Sequence, residues 1–281
     1  MHLIIQIPCY NEAETLPVVL ADLPRSIPGV DRVEVLVVDD GSTDGTAEVA
    51  RALGVDYVVR HHRNLGLAAA FQTGLDACLR AGADVIVNTD GDNQYPGRSI
   101  PALIEPILQG KADMVVGDRQ THAVPHFSLQ KRWLQWLGSW VVRAASGTSV
   151  PDAASGFRAF SREAALRLIV LTRYTYTLET LIQAGKKGLI VAHVPIQVNE
   201  PLRRSRLIKS TWDYVKQSAA TILRLYVFYE PLRTFSFAAA PFLLAGLALL
   251  LRFVYLYFRY IQTGQSGVGR NVQSVTIGGT L

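Results

Sequence analysis

The sequence predicts an α/β domain with a mainly parallel sheet, followed by an apolar segment long enough to cross a membrane. Up to about residue 118, short apolar runs alternate with helix-like stretches. The apolar runs are nearly continuous, which is typical of strands covered on both faces. Alternation of strand and helix favours a parallel sheet with helices on both sides. Near the other end, the residues from Phe235 to Phe258 are almost all apolar.

The predicted elements follow one another in a regular order. The β-rich runs predict strands from Leu3 to Ile7, Val33 to Val38, Tyr57 to Val59, Val85 to Thr89 and Met114 to Val116. Helical spacing between them predicts helices from Thr46 to Leu53, Leu67 to Leu79 and Ile100 to Leu108. A Trp-rich helical segment is predicted from Arg119 to Ser149, and a helix and strand region then extends the same domain to Val198.

The C-terminal part predicts a membrane-associated region. Ser210 to Tyr229 is predicted as an amphipathic helix that lies on the membrane surface or packs on the domain. As a helix, Phe235 to Phe258 would be roughly 36 Å long, enough for a hydrocarbon core of about 30 Å. The alternatives are a buried core helix and a hairpin broken at Pro241. Arg252 would be costly at mid-membrane unless it snorkels or faces protein.

Composition therefore predicts four regions. These are a catalytic domain over residues 1–200, a basic juxtamembrane segment over 201–233, a transmembrane helix over 234–262, and a loop over 263–281 leading into what could become a second, truncated membrane segment. The N-terminus lacks the pattern of a signal peptide. Cys9 and Cys78 lack the spacing of a zinc site or disulfide framework, which fits a reducing compartment.

Positive charge is concentrated in one segment. The net charge is +5, and Arg203 to Arg233 holds seven Lys/Arg against two acidic residues. The rest of the chain is therefore neutral overall, which argues against a nucleic-acid partner and favours a localised anionic partner such as membrane lipids. Basic residues on the N-terminal side of the apolar segment predict a cell-membrane protein with its large domain in the cytoplasm.

Two acidic strand ends carry the first indication of function. Asp90 and Asp92 flank Gly91 directly after the predicted strand Val85 to Thr89, and Asp39 and Asp40 follow an earlier strand. Ligands of α/β sheets bind where strands end. Carboxylates there suit a hard divalent cation that shares its oxygens with a substrate's phosphates. An Asp-rich turn is the alternative for Asp90 to Gln94 alone.

Four stretches stand out when they are taken together: Ile7 to Glu12, Val37 to Thr46, Asn64 to Ala70 and Asp90 to Gln94. Together they resemble the family 2 glycosyltransferases, specifically the polyprenol-phosphate, dolichol-phosphate mannose synthase-like branch. Further matches at Gly117 to Arg119, Asp152 to Arg158, Tyr176 to Glu179 and Arg203 to Lys209 extend the resemblance over roughly residues 3–233.

The resemblance implies a fold and an activity. The fold is the GT-A, Rossmann-like domain of nucleotide-diphospho-sugar transferases. The activity is metal-dependent hexosyl transfer with Mg²⁺ or Mn²⁺, in which one sugar moves with inversion from a nucleotide-sugar donor of the GDP-mannose or UDP-hexose type. The acceptor is polyprenyl or dolichyl phosphate at the cytoplasmic membrane face.

The resemblance also implies roles for individual residues. The metal ligands are Asp90, Asp92 and Gln94, and the catalytic group is Asp90, Asp92, Arg119, Asp152 and Glu179. Donor and phosphate binding falls to Pro8, Tyr10, Glu12, Asp39, Asp90, Gly91, Asp92, Gln94, Arg119, Arg203 and Lys209. Loop packing for Tyr10, a helix N-terminal charge for Glu12, and structural pairing with an Arg for Asp152 and Glu179 stay open as alternatives.

Two departures from the family pattern limit these assignments. Arg203 to Lys209 lacks the glycine of the usual basic-Gly-Ser-Lys pattern, which leaves the phosphate ligand there open. Gln130 to Trp133 is one residue short of the Gln-x-x-Arg-Trp signature of processive synthases, so transfer of a single sugar is favoured. Lys131, Arg132 and Arg206 are further candidates for holding phosphates.

Two other classes of function are weighed against the transferase. A catalytically silent, membrane-tethered nucleotide-sugar binding subunit is the alternative, and the intact acidic residues argue against it. A dinucleotide-dependent oxidoreductase would need a GxGxxG motif after the first strand, and the sequence has none there.

Overall fold

A computed structural model describes residues 1–120, 145–171, 176–199 and 226–263, with 139–140, 142–143, 219–221 and 223–224. The chain divides into two compact units, Met1–Leu223 and Arg224–Leu281. The Trp-rich stretch and the basic stretch around Arg203 and Lys209 lie mostly or wholly outside the described residues.

The first unit is built on a seven-stranded sheet with the order β3-β2-β1-β4-β6-β5-β7. Its strands are β1 (His2–Cys9), β2 (Arg32–Asp39), β3 (Tyr57–Arg60), β4 (Val85–Asn88), β5 (Met114–Asp118), β6 (Arg158–Ser161) and β7 (Val191–Pro195). The five predicted strands are β1 to β5. β6 pairs antiparallel with both β4 and β5, while all other neighbouring strands are parallel. Six strands therefore point in one direction, which confirms the mainly parallel sheet.

Helices cover both faces of this sheet. They are α1 (Leu16–Asp22), α2 (Thr46–Ala52), α3 (Leu67–Arg80), α4 (Ile100–Leu108), α5 (Arg162–Arg167) and α6 (Tyr176–Lys186). On one face Leu3, Ile5 and Ile7 of β1 share a core with residues of α1 and α4. On the other face Phe71 of α3 meets Phe160 of β6 edge to face, at a centroid distance of 5.8 Å. The helices from residues 46, 67 and 100 match the sequence prediction, whereas α1 was not predicted.

The second unit is dominated by one long helix, α7 (Pro231–Thr263). Its segment Pro231–Arg259 is long and apolar enough to cross a membrane, and its most apolar stretch is only 6% buried. The helix continues through Pro241, which excludes a hairpin broken there. High exposure also argues against a buried core helix. Helical residues at 219–221, 223–224 and 226–229 fall within the predicted amphipathic helix, whose other residues are not described.

Candidate active site

The polar residues of the candidate site share one edge of the sheet because of the strand directions. β1, β2, β4 and β5 end at this edge with Cys9, Asp39, Asn88 and Asp118, and the reversed strand β6 begins there at Arg158. Side chains that are far apart in the sequence therefore meet just beyond the carboxyl ends of the parallel strands. Open α/β sheets bind their ligands in this position.

The loop after β4 carries the two carboxylates of the predicted metal site. Its backbone reverses at Asn93, which has a left-handed φ of 61°. The N–H of Gln94 donates to Asp92 Oδ1 at 3.1 Å. Burial, and after it the charge of Asp92, raise the pKa of Asp90 to about 7, against the opposing charge of Arg119. Burial also raises the pKa of Asp92. Two carboxylates that disfavour each other's charge form a site that a cation would stabilise.

A buried polar network lies beneath this loop. Asn88, the last residue of β4, donates to the carbonyl of Gly156 at 2.9 Å and to the hydroxyl of Tyr176 at 2.8 Å. It accepts from the amide of Gln6 at 2.9 Å. The Tyr176 ring stacks on Phe71 at 3.9 Å. The network joins β1, β4, α3 and α6 directly below the carboxylates and fixes the end of β4.

An ion pair lies beside the two carboxylates. Arg119, just after β5, donates from Nε to Asp152 Oδ2 at 2.7 Å and from Nη2 to Oδ1 at 3.0 Å. Such a bidentate pair holds both side chains in one geometry. The structure therefore brings together the predicted residues Arg119 and Asp152, and the charge of Arg119 acts on Asp90.

Arg158 is fully buried and binds backbone groups instead of a carboxylate. Its guanidinium donates to the carbonyls of Ala153 and Ser155 at 2.8 Å each, and to the carbonyl of Thr177 and the hydroxyl of Thr180 at 2.7 Å each. Burial lowers the pKa of Arg158 to about 10. The contacts tie the loop that carries Asp152 to the first turn of α6. Arg158 belongs to the family-like stretch Asp152 to Arg158, but no site role was predicted for it.

Asp39 lies at the end of β2, fully buried. Its Oδ1 accepts from the N–H of Ser42 at 2.9 Å. Its Oδ2 lies 3.2 Å from Arg60 Nε, close enough for an ion pair, but the geometry gives it no hydrogen bond. Arg60 is itself held by Glu48 at 2.8 Å and by the carbonyl of Ser42 at 3.2 Å. The charge contact therefore leaves Asp39 Oδ2 with acceptor capacity.

The loop after β1 lies close to the loop after β4. Glu12 is 5% exposed, and the Thr15 hydroxyl lies 2.8 Å from Glu12 Oε2 and 2.7 Å from the carbonyl oxygen of Gly91. A Cβ on Gly91 would lie 3.2 Å from both Cys9 Sγ and Glu12 Cγ. Of the other predicted residues here, Pro8 is buried in β1 and Tyr10 is 40% exposed at the same edge.

Asp40, for which no site role was predicted, organises a further loop. Its carboxylate accepts from the N–H groups of Leu65 and Gly66 at 2.8 Å each. His61 Nδ1 lies 2.7 Å from Asp40 Oδ1, and His61 Nε2 lies 3.0 Å from the Thr73 hydroxyl. The second of two adjacent acidic residues thus shapes the wall of the site, while Asp39 keeps an acceptor for a ligand.

Comparison with known proteins decides the family. The model of glycosyl transferase family 2 matches residues 4–168, more than half of the chain. The chain belongs to glycosyl transferase family 2. It is 30% identical over 207 residues to the undecaprenyl-phosphate mannosyltransferase of Micrococcus luteus, covering 70% of this chain and 83% of the relative. It is 33% identical over 199 residues to the dolichyl-phosphate hexose transferase of Haloferax volcanii, covering 70% and 83%.

A solved structure confirms the fold of this family 2 glycosyltransferase. Glucosyl-3-phosphoglycerate synthase from Mycobacterium tuberculosis, in complex with Mn²⁺, UDP and phosphoglyceric acid, superposes with a TM-score of 0.62 and 22% identity. The alignment covers 81% of this chain and 78% of that one. The predicted family and GT-A fold are therefore both confirmed.

The remaining predicted site residues of the glycosyltransferase are Glu179, Arg203 and Lys209. Glu179 is fully buried in α6, and its Oε1 accepts from the N–H of Leu171 at 2.9 Å. That contact anchors the chain before α6, and a catalytic role for Glu179 stays a prediction. Arg203 and Lys209 lie outside the described residues.

The donor set of the glycosyltransferase fits Mg²⁺ or Mn²⁺. Within the described residues, no three His, Cys, Asp or Glu side chains group together as a metal site. Asp90, Asp92 and Gln94 offer hard oxygen donors, two of them mutually repelling carboxylates. Mg²⁺ keeps several waters and takes few protein ligands beside substrate phosphates, so a two-carboxylate loop suits it better than a closed cage would.

Gly156 sets a steric limit on the site, and its replacement gives a first prediction. A Cβ on Gly156 would lie 2.7 Å from the Tyr176 hydroxyl oxygen and 3.2 and 3.3 Å from the two Asp90 carboxylate oxygens. We expect Gly156→Ala to displace the Tyr176 hydroxyl and to crowd the Asp90 carboxylate. We expect transferase activity to fall at least about tenfold, because a 1 Å misplacement of site groups can cost 10²-fold in rate. Steady-state kinetics measures this.

Gly82 offers the matched control for this substitution. A Cβ there meets nothing within 4 Å, although its φ of 86° adds backbone strain. Gly82→Ala therefore tests a general loss of stability without contact to the site. Equal activities of the two variants, after correction for the folded fraction, would contradict a steric role for Gly156.

Proposed function

We propose that this chain transfers one sugar, with inversion, from a nucleotide-diphosphate sugar of the GDP-mannose or UDP-hexose type to polyprenyl or dolichyl phosphate. The observation that carries the proposal is the pair Asp90 and Asp92 at the carboxyl edge of the sheet, beside the Arg119–Asp152 ion pair. Relatives named for transfer to undecaprenyl and dolichyl phosphate support the acceptor class.

The donor would bind across the edge formed by β1, β2 and β4. Asp39 Oδ2 is buried and has no hydrogen-bond partner among the described residues, and it would accept a hydrogen bond from the nucleoside. Pro8, Tyr10 and Glu12 would line the base and ribose from the loop after β1. Asp90, Asp92 and Gln94 would hold Mg²⁺ or Mn²⁺, which when bound stabilises the charge of the departing diphosphate as a Lewis acid.

The acceptor phosphate needs no strong general base. The second pKa of a phosphate monoester is near 6, so its oxygen is largely ionised at neutral pH and can attack the anomeric carbon directly. Arg119, oriented by Asp152, would place positive charge next to the reacting phosphates. Arg203 and Lys209 would bind phosphate from the basic segment, and Asp152 would lie near the sugar and the acceptor. Positioning then dominates the chemistry.

The reaction would take place at the cytoplasmic face of the cell membrane. The helix Pro231–Arg259 has the length and composition of a membrane span. The basic residues between Arg203 and Arg233 precede it, which by the positive-inside rule keeps the large unit in the cytoplasm. An acceptor with a membrane-embedded polyprenyl chain would then present its phosphate to a site on the same side.

A transfer assay tests the proposed function. Membranes that contain the chain are incubated with radiolabelled GDP-mannose, UDP-glucose or UDP-N-acetylglucosamine and with polyprenyl phosphate, and label is counted in the organic extract. We expect one donor to label lipid, EDTA to abolish labelling, and Mg²⁺ or Mn²⁺ to restore it, because the diphosphate leaves poorly without a cation.

A binding measurement beside the transfer assay distinguishes the transferase from a catalytically silent binding subunit. Each donor is also tested for thermal stabilisation of the purified chain, since a ligand at 100 times its dissociation constant adds about 2.7 kcal/mol to folding stability. Stabilisation by a nucleotide sugar with no labelled lipid from any donor would favour a binding subunit and contradict the proposed transferase.

A further inference from the structure

Asn199, from a distant part of the chain, donates two hydrogen bonds to the loop after β4. It follows the edge strand β7 and lies 105 positions away from Gln94 in the numbering. Its backbone N–H donates to the carbonyl of Gln94 at 2.9 Å. Its side-chain Nδ2 donates to the carbonyl of Asn93 at 3.0 Å. One residue therefore binds two consecutive carbonyl groups of the loop that carries Asp90, Asp92 and Gln94.

The two bonds act on the part of the loop that is most constrained. Asn93 has a left-handed φ of 61°, a conformation that costs a non-glycine residue energy unless its surroundings hold it. This reversal allows the N–H of Gln94 to reach Asp92 Oδ1 at 3.1 Å. The bond from Asn199 fixes the carbonyl at the reversal itself. The orientation of Asp92 is therefore coupled to a side chain from the segment that follows β7.

In the part of the chain that the structure describes, other hydrogen bonds to the loop after β4 do not hold its Asn93 end. The Asn93 side-chain oxygen is buried and has no hydrogen-bond partner among the described residues. Thr15 contacts the carbonyl of Gly91 at 2.7 Å, at the other end of the loop. Asn199 thus supports the half of the loop that contains Asp92 and Gln94, and Thr15 supports the half that contains Gly91.

We propose that Asn199 is a positioning residue that presets Asp92 and Gln94 for the divalent cation through its hydrogen bond to the Asn93 carbonyl. The cation in this inference rests on the proposed function, whereas the hydrogen bonds do not. Residues that orient metal ligands typically affect metal affinity 10- to 100-fold when they are replaced. Asn199 acts on the loop carbonyls and is not itself a ligand.

Asn199→Asp tests the hydrogen bond with little change in side-chain volume. A carboxylate cannot donate to the Asn93 carbonyl, while the backbone N–H to Gln94 remains. We expect Mn²⁺ to bind about tenfold more weakly, as measured by the electron paramagnetic resonance signal of free Mn²⁺ with the full-length chain in detergent. We also expect faster hydrogen–deuterium exchange in a peptide spanning residues 88–96 without metal, with transfer partly rescued by excess Mn²⁺.

Two further variants separate this role from general destabilisation. Asn199→Ser tests the same bond without a new charge and should also weaken Mn²⁺ binding. Gln197→Ala removes an exposed amide from the same segment and should leave both Mn²⁺ affinity and exchange unchanged. Unaltered Mn²⁺ affinity in both Asn199 variants, or an equal change in Gln197→Ala, would overturn the inference.

The outcomes also separate this inference from the proposed function. If the wild-type chain binds Mn²⁺ but transfers no sugar, the proposed function fails while the expected affinity change at Asn199 still supports the positioning role. If the wild-type chain transfers sugar and the Asn199 variants bind Mn²⁺ normally, the positioning role alone is wrong. If the wild-type chain binds no Mn²⁺, the positioning role is wrong, whereas the transfer assay alone decides the proposed function.

Discussion

Asp92→Asn is expected to lower kcat/KM for sugar transfer by about 10³-fold, equivalent to about 4 kcal/mol of transition-state stabilisation. The amide keeps the shape of the side chain and one oxygen, but it removes the negative charge that would hold the cation beside the departing diphosphate. Asp92 Oδ1 already accepts from the N–H of Gln94, so the substitution should leave the loop folded. The measurement is initial-rate transfer of labelled sugar to lipid across a range of Mn²⁺ concentrations.

Asp31→Asn provides the matched control for this prediction. Asp31 is exposed just before β2, at the opposite end of that strand from Asp39, where it pairs with the N-terminal amine. We expect Asp31→Asn to transfer sugar at the wild-type rate. Transfer by Asp92→Asn within about threefold of wild type at subsaturating Mn²⁺ would exclude Asp92 as a metal ligand.

The sequence was sufficient to predict that Asp39 and Asp90 lie at the same edge of the sheet. Asp39 and Asp90 each follow a continuously apolar run, and parallel strands place all such ends at one edge. Family membership and the GT-A fold are confirmed, and they place Arg119 after β5 at the same edge. The apolar runs that mark strands, together with the common direction of parallel strands, are therefore enough to place these residues at one edge of the sheet.

The supporting contacts could not be predicted in this way because they depend on tertiary packing. β6 starts with a buried Arg158 and is only four residues long, so it lacks the apolar pattern of a strand. α1 has seven residues, too few for a clear helical period. The contact between Asn199 and Asn93 joins distant segments through backbone carbonyls, which leave no trace in side-chain patterns.

The two neighbouring aspartates at the end of β2 show the same limit. Sequence alone marks Asp39 and Asp40 as equivalent members of an acidic strand end. In the structure, Asp40 is bound by two backbone N–H groups and His61, whereas Asp39 Oδ2 has no hydrogen bond from any residue that the structure describes. Adjacent side chains of an extended chain point to opposite sides, so Asp39 and Asp40 meet different neighbours. The positions of the neighbouring loops then decide that Asp40 is the carboxylate with the structural role.

Arg158→Met is expected to destabilise the catalytic unit by about 3 kcal/mol or more. Methionine fills much of the volume but donates no hydrogen bond, so the carbonyls of Ala153, Ser155 and Thr177 would lose a buried donor. Each buried acceptor left unsatisfied costs about 1–3 kcal/mol. For a unit of this size the expected fall in Tm is about 10 °C. Thermal unfolding of the purified chain in detergent measures it.

The same substitution should also impair catalysis below the unfolding temperature. Arg158 fixes the carbonyls that directly follow Asp152, and Asp152 orients Arg119 through a bidentate pair, so loosening this loop should lower the transfer rate even in folded protein.

Arg167→Met is the control, since Arg167 is half-exposed and pairs with Glu163 on the surface of α5, a contact worth at most about 1 kcal/mol. Arg158→Lys keeps the charge but lacks the planar fork that reaches all four acceptors, so it should fall between wild type and Arg158→Met. A Tm of Arg158→Met equal to that of Arg167→Met would show that these buried acceptors find other donors, and that Arg158 does not hold the Asp152 loop in place.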